Sequence, residues 1–115
     1  MVDDEAALLR VTVLALEGAG FLATGFSSAR DALEAVQAAP DAFDVVVTDL
    51  SMPELSGLAL SSKLSAIRPE LPIVLVSGHA PKADEQLAQY GIRFRLAKPF
   101  EIDVLDALLR GLVRR

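Results

Sequence analysis

The sequence predicts a three-layer α/β sandwich, a parallel sheet of five strands with helices on both faces. Three observations carry this reading. Val45-Val46-Val47 and Ile73-Val74-Leu75-Val76 are apolar runs without polar alternation, the pattern of strands buried on both sides. Helix-length stretches separate the strand-like runs, and the connections between them are short. Parallel neighbours need such helical crossovers, whereas antiparallel ones need only a turn.

Taken in order, Met1-Val2 reads as the end of a first strand running into the acids Asp3-Asp4-Glu5. Ala6 to Glu17 carries Leu8, Leu9, Val11, Leu14 and Leu16 at mostly helical spacing, and Gly18-Ala19-Gly20 supplies the residues that end a helix. Phe21 to Phe26 is a brief second strand. Ser28 caps a second helix over Ala29 to Ala39, with Asp31 three residues on and Pro40 as the stop. The third strand, opened by Asp44, delivers Asp49 at its end. Met52-Pro53 then turns the backbone away from helix, and Gly57 lets it turn before the third helix, Gly57 to Arg68. Leu58, Leu60, Leu64 and Ile67 form that helix's expected buried stripe. The fourth strand, Ile73 to Val76, ends in Ser77-Gly78-His79. A short fourth helix follows from Pro81 to Tyr90, with Gly91 at its C-cap. Phe94 to Ala97 is the fifth strand, Lys98-Pro99 its exit, and Ile102 to Val113 the fifth helix, whose terminal arginines complement the helix dipole.

Composition narrows the chemistry. The 115 residues suit one domain spanning 1–115. Without cysteine there are no disulfides or thiolate metal sites, and a single histidine disfavours an imidazole site. A metal would have to be held by oxygen, which favours Mg²⁺. The net charge of −5 argues against a nucleic-acid face, and strand-length apolar runs argue against a membrane span or secretory signal. A cytoplasmic location is the resulting expectation.

A parallel sheet brings all its strand C-termini to one edge, here Asp3-Asp4, Asp49, Ser77 and Lys98. Clustered carboxylates repel, and relief comes from a raised pKa on one of them or from a bound divalent cation. Oxygen ligands completed by water and a backbone carbonyl suit Mg²⁺. A hydroxyl and an ammonium alongside can hold phosphoryl oxygens, with Asp49 as nucleophile and Lys98 neutralising developing charge.

With these residues the chain resembles the receiver domain of two-component response regulators. The resemblance rests on Val2-Asp3-Asp4-Glu5, Thr48-Asp49, Met52-Pro53, Gly57, Ser77-Gly78 and Lys98-Pro99-Phe100, and it covers the whole chain. It implies a flavodoxin-like sheet of order 2-1-3-4-5, for which a receiver is itself a standard example. It further implies phosphoryl transfer from the phosphohistidine of a histidine kinase or histidine phosphotransfer domain to Asp49. Asp3 and Asp4 would bind Mg²⁺ with Asp49 and the Ser51 carbonyl, Ser77 would follow the phosphoryl group, and Lys98 would contact it. Lys98-Pro99 would be a cis bond. Such a domain is a signalling phosphoacceptor rather than a conventional enzyme, with dimerisation left open. It would be the end piece of a hybrid histidine kinase or a single-domain regulator, with no DNA-binding segment after Arg115.

The blander readings are N-capping by Asp3-Asp4-Glu5 and by Ser77, a turn role for Asp49, a surface role for Lys98 and a loop role for His79. Two departures from the family pattern stand out. Only Met1 and Val2 precede the acid pair, so the central first strand is truncated, and an upstream start of the native chain is the favoured reading. Arg95 stands three residues before the lysine, where many receivers carry an aromatic ring, and Phe94 beside it points to the other face. The alternatives are a pseudo-receiver that only binds protein partners and, less favoured, an aspartyl-nucleophile phosphohydrolase. The latter carries a second acid two residues after its nucleophile, and Ser51 occupies that position here.

Overall fold

The computed structural model describes residues 1–53, 55–78 and 84–113. Three regular strands, β1 (Val46–Asp49), β2 (Ile73–Ser77) and β3 (Phe94–Ala97), form a parallel sheet in that order. The register sets Asp49 opposite Val76, and Ser77 opposite Ala97. Val2 joins this sheet through single parallel bridges, one to Thr48 and one to Phe26. The Val2 segment thus lies between the second and third strand segments, and the order is 2-1-3-4-5.

The second strand is shorter than its sequence suggests. In place of a strand over Phe21–Phe26 there is only the bridge at Phe26. A strand exists through its neighbour's backbone groups, and here the neighbour offers two residues. Phe26 N–H donates to the Met1 carbonyl (2.8 Å), Asp3 N–H to the Phe26 carbonyl (3.1 Å), and the Met1 ammonium to the Thr24 carbonyl (2.6 Å). Among the described residues this segment forms no further strand bridge, and Leu22 is fully exposed. Burial lowers the pKa of the Met1 ammonium to about 6.

Among the described residues five helices accompany the sheet: α1 (Ala6–Gly18), α2 (Ala29–Ala38), α3 (Gly57–Ile67), α4 (Asp84–Ala88) and α5 (Ile102–Leu112). The end signals act as expected for α1 and α2. Ser28 accepts from the Asp31 N–H at the start of α2, and Gly20 takes a left-handed φ of 101° after α1. Gly91, with φ of 82°, closes the turn after α4. The sequence-predicted start of α4 at Pro81, together with His79 and the terminal arginines 114 and 115, lies outside the described residues.

The layers follow from period-two alternation along doubly buried strands. Val46, Ile73 and Leu75 point to one face, where Leu60 and Leu64 of α3, Ala32 and Val36 of α2 and Leu87 of α4 cover them. Val47, Val74 and Val76 point to the other, beneath Leu16 of α1 and Leu105 and Leu109 of α5. The buried face of α3 differs in part from the expected stripe. Leu58 and Ile67 are only partly buried, and Gly57 and Ser61 are buried instead. Ser61 is tolerated there because its hydroxyl donates to the Gly57 carbonyl (2.6 Å).

Leu64 is completely buried, whereas Val11 of α1 is 64% exposed. Urea unfolding of Leu64→Ala is expected to show a loss of about 2–5 kcal/mol. Val11→Ala should stay within about 0.5 kcal/mol of the parent, since no cavity forms.

Candidate functional site

The site is built where the strands end. β1 ends in Asp49, β2 in Ser77, and Lys98 directly follows β3. Val2 anchors Asp3 to the same edge, because its N–H donates to the Val47 carbonyl (2.7 Å) and its carbonyl accepts from the Asp49 N–H (2.9 Å). Carboxylate oxygens of Asp3, Asp4 and Asp49 all lie within 4.8 Å of one another. Asp3 is completely buried and Asp49 nearly so, while Asp4 is exposed.

One cation faces two of these acids. Lys98 Nζ lies 3.3 Å from Asp3 Oδ2 and 3.4 Å from Asp49 Oδ2. Its backbone is fixed as well, through donation of the Lys98 N–H to the Ser77 carbonyl (2.8 Å). The Lys98-Pro99 bond is cis, as the family resemblance implied. Burial pushes the Asp49 carboxyl above the usual carboxylate range; Lys98 opposes this and the charge of Asp3 adds to it. Burial alone would lower the Lys98 ammonium, but the charges of Asp3 and Asp49 outweigh it and raise the pKa.

The bland capping role of Asp3 coexists with its place in the cluster. Its Oδ1 accepts the Glu5 N–H (2.9 Å) while its Oδ2 faces Lys98. Asp49 is held similarly, with Oδ1 accepting the Leu50 N–H (2.9 Å) and Oδ2 facing Lys98. Asp4 and exposed Ser51 share the wall of an open depression of about 520 Å³, together with Leu50, Met52, Pro53 and Ser56. Arg95 lies exposed on β3, and Phe94 packs into the core on the opposite face. The donor set fits Mg²⁺: three carboxylate oxygens lie within 4.8 Å of one another, and one of them, on Asp4, belongs to the wall of the open depression.

Sequence reasoning gave Gly57 the wrong reason. Its φ is not left-handed; the constraint is space, since a Cβ there would sit 2.2 Å from the Asp49 carbonyl oxygen. The Gly57 N–H donates to the Leu50 carbonyl (2.8 Å), so α3 begins against the backbone of the acid itself. Thr48 adds a second brace that the sequence did not reveal. Its buried hydroxyl donates to the Asp49 carbonyl (3.0 Å). Only proximity in three dimensions exposes either role.

The fold sets an acidic cluster at the carboxyl edge of a parallel sheet, the architecture of a signalling receiver, and comparison places it. Residues 1–110 match the response regulator receiver domain, and the chain belongs to that family. It is 40% identical over 107 residues to the C4-dicarboxylate transport transcriptional regulatory protein DctD of Rhizobium meliloti, covering 91% of this chain and 23% of that protein. It is 34% identical over 117 residues to the transcriptional regulatory protein FixJ of Bradyrhizobium diazoefficiens, covering 100% of this chain and 56% of FixJ. The structure of a response regulator receiver domain protein from Clostridium thermocellum superimposes with a TM-score of 0.89 at 26% identity, covering 96% of this chain and 89% of that one. The chain therefore spans only about a quarter to a half of these curated relatives. They are response regulators, not hybrid histidine kinases.

Two outcomes test the site's packing and charge. Gly57→Ala is expected to cost about 1–3 kcal/mol in urea unfolding, because the added methyl meets backbone that cannot yield locally. The second concerns pH. A carboxyl whose folded pKa is raised binds its proton more readily in the folded state, so its ionisation destabilises the fold as pH rises above about 3.9 through the folded value. In metal-free buffer Asp49→Asn should raise Tm at pH 7, and the gain should vanish as the pH falls below the unfolded value.

Proposed function

We propose that Asp49 accepts a phosphoryl group from a phosphohistidine, in a Mg²⁺-dependent reaction supported by Asp3, Asp4, the Ser51 carbonyl, Ser77 and Lys98. The observation that carries this reading is the shared Lys98 ammonium between Asp3 and Asp49 at the open edge of the sheet. Such an edge exposes a nucleophile to a large donor while its backbone stays braced.

The roles follow from the geometry of the protein's own groups. The Asp49 carboxylate attacks phosphorus while the P–N bond to the donor histidine breaks and its imidazole leaves, with Lys98 beside the reacting oxygen. Lys98 neutralises charge on the transferred group and is held in place by the Ser77 carbonyl. When bound, Mg²⁺ would offset the repulsion among Asp3, Asp4 and Asp49 and polarise phosphoryl oxygens. The hydroxyl of Ser77, on the adjacent strand end, is suited to bond a phosphoryl oxygen and so report the modification to β2. Arg95 in place of a ring argues that the readout toward α4 and α5 proceeds differently from that of receivers with an inward-turning aromatic.

Domain 1–115 thus acts as the phosphorylated module of a two-component pathway, with a histidine kinase or histidine phosphotransfer domain as donor. Its matches favour attachment to a transcriptional regulator over a hybrid kinase. A cytoplasmic setting accords with that role, and no helix among the described residues is long and apolar enough to cross a membrane.

Intact mass after incubation with acetyl phosphate and Mg²⁺ tests the proposal. One added phosphoryl group is expected, lost with Asp49→Asn or with chelator, and formed roughly a hundredfold more slowly with Lys98→Ala. A folded protein that takes up no phosphoryl group from acetyl phosphate or a phosphohistidine donor would sink the reading and leave a protein-binding pseudo-receiver.

A further inference from the structure

Helix α1 is apolar on two sides. Leu9, Thr12 and Leu16 are buried against the sheet, whereas Ala7, Val11, Leu14 and Gly18 are exposed on the opposite side, Leu14 by 61%. A helix that is apolar all round is ordinarily covered all round. The four exposed residues follow one another at steps of four, three and four, the spacing of a coiled-coil seam. Within α1, charge is confined to one flank of that seam, where Arg10 and Glu17 stand seven residues apart and so share one column. On the other flank Leu8 and Ala15 border an apolar groove of about 490 Å³, completed by Pro99, Phe100 and Ile102.

We propose that this face seats a second copy of the chain, α1 against α1 in antiparallel orientation about a two-fold axis. The levels of such a pair match in size: Ala7 falls beside the partner's Gly18 at each end, and Val11 beside the partner's Leu14 in the middle. Antiparallel contact also brings like flanks together. Arg10 then meets the partner's Glu17, and the two-fold axis repeats the pair. A parallel pair would set each charged flank against the apolar column of Leu8 and Ala15, so the charges select the antiparallel one. An unrelated partner must supply both signs at the right spacing, whereas a second copy supplies them by symmetry. Because α1 starts beside Asp3 and Asp4, the pair sends its two acidic edges to opposite ends, and both stay open to a phosphoryl donor. Four layers make a short seam, and dissociation is expected between about 10 μM and 1 mM.

Sedimentation equilibrium from about 1 μM to 1 mM measures the association, and urea unfolding near the lower limit checks that each variant folds as a monomer. A monomer–dimer equilibrium is expected, weakened at least about thirtyfold by Leu14→Glu. Arg10→Glu or Glu17→Arg alone should weaken it about fivefold, and the two together should restore most of the loss, since opposite charges face each other again. Cysteine cross-linking reads the orientation, because the chain has no cysteine of its own. Oxidation of Ala7→Cys mixed with Gly18→Cys should join the two variants at least about tenfold faster than either joins itself. A folded chain that stays monomeric at about 1 mM, a dimer that Leu14→Glu leaves intact, or faster self-joining of either cysteine variant would overturn the proposal. So would a double charge swap that associates no better than the single ones. A monomer in which Leu14→Glu slows phosphoryl uptake from a phosphohistidine protein, but not from acetyl phosphate, would assign the face to the donor instead.

Discussion

The placement of one ammonium between two buried carboxylates is the constraint on which the rest of the molecule turns. Lys98 follows β3, Asp49 closes β1, and Asp3 arrives from the chain's first residues, so their meeting requires all three segments in one parallel sheet. Two unopposed acids at that depth would repel and lose solvation, and a lone buried ammonium would fare no better. Their mutual charge raises the pKa of Lys98, while the burial that Asp49 suffers is only partly relieved.

Around that contact the backbone is braced from several directions. Thr48 and Gly57 crowd the Asp49 carbonyl, the Leu50 amide holds its carboxylate, and the Ser77 carbonyl fixes Lys98. The weakest brace is the segment that carries Asp3. It meets β1 through the N–H and carbonyl of Val2, a residue almost completely buried, while Met1 and Asp3 bond to the 24–26 segment on the other side. Asp3 is therefore placed at the acidic edge by the short segment that precedes it. Whatever stabilises Met1 and Val2 also steadies Asp3.

Much of this was legible in the sequence, and the reasons are local. Val45-Val46-Val47 and Ile73 to Val76 announced central strands because unbroken apolar runs have only one place to go in a sheet covered on both faces. Ser28, Gly20 and Gly91 marked helix ends through bonds and dihedral angles confined to neighbouring residues. Asp49, Lys98 and the Asp3-Asp4 pair stood out because the strand pattern sent them to one edge. The second strand misled, since Phe21 to Phe26 has strand composition but its partner segment meets it through a single bridge. On α1, apolar residues outnumber the buried ones: Leu9 and Leu16 face the core with Thr12, while Leu8, Val11 and Leu14 remain exposed.

By itself the sequence determined the alternation of strand and helix, the parallel class of the sheet and the set of acids, hydroxyl and amine at its edge. These follow from period, propensity and turn chemistry, which act over a few residues. Only the tertiary structure decided which oxygens face Lys98 and that Gly57 must be small to clear the Asp49 carbonyl. Those features depend on distances between segments far apart in the chain. No local pattern encodes such a distance until packing has set it.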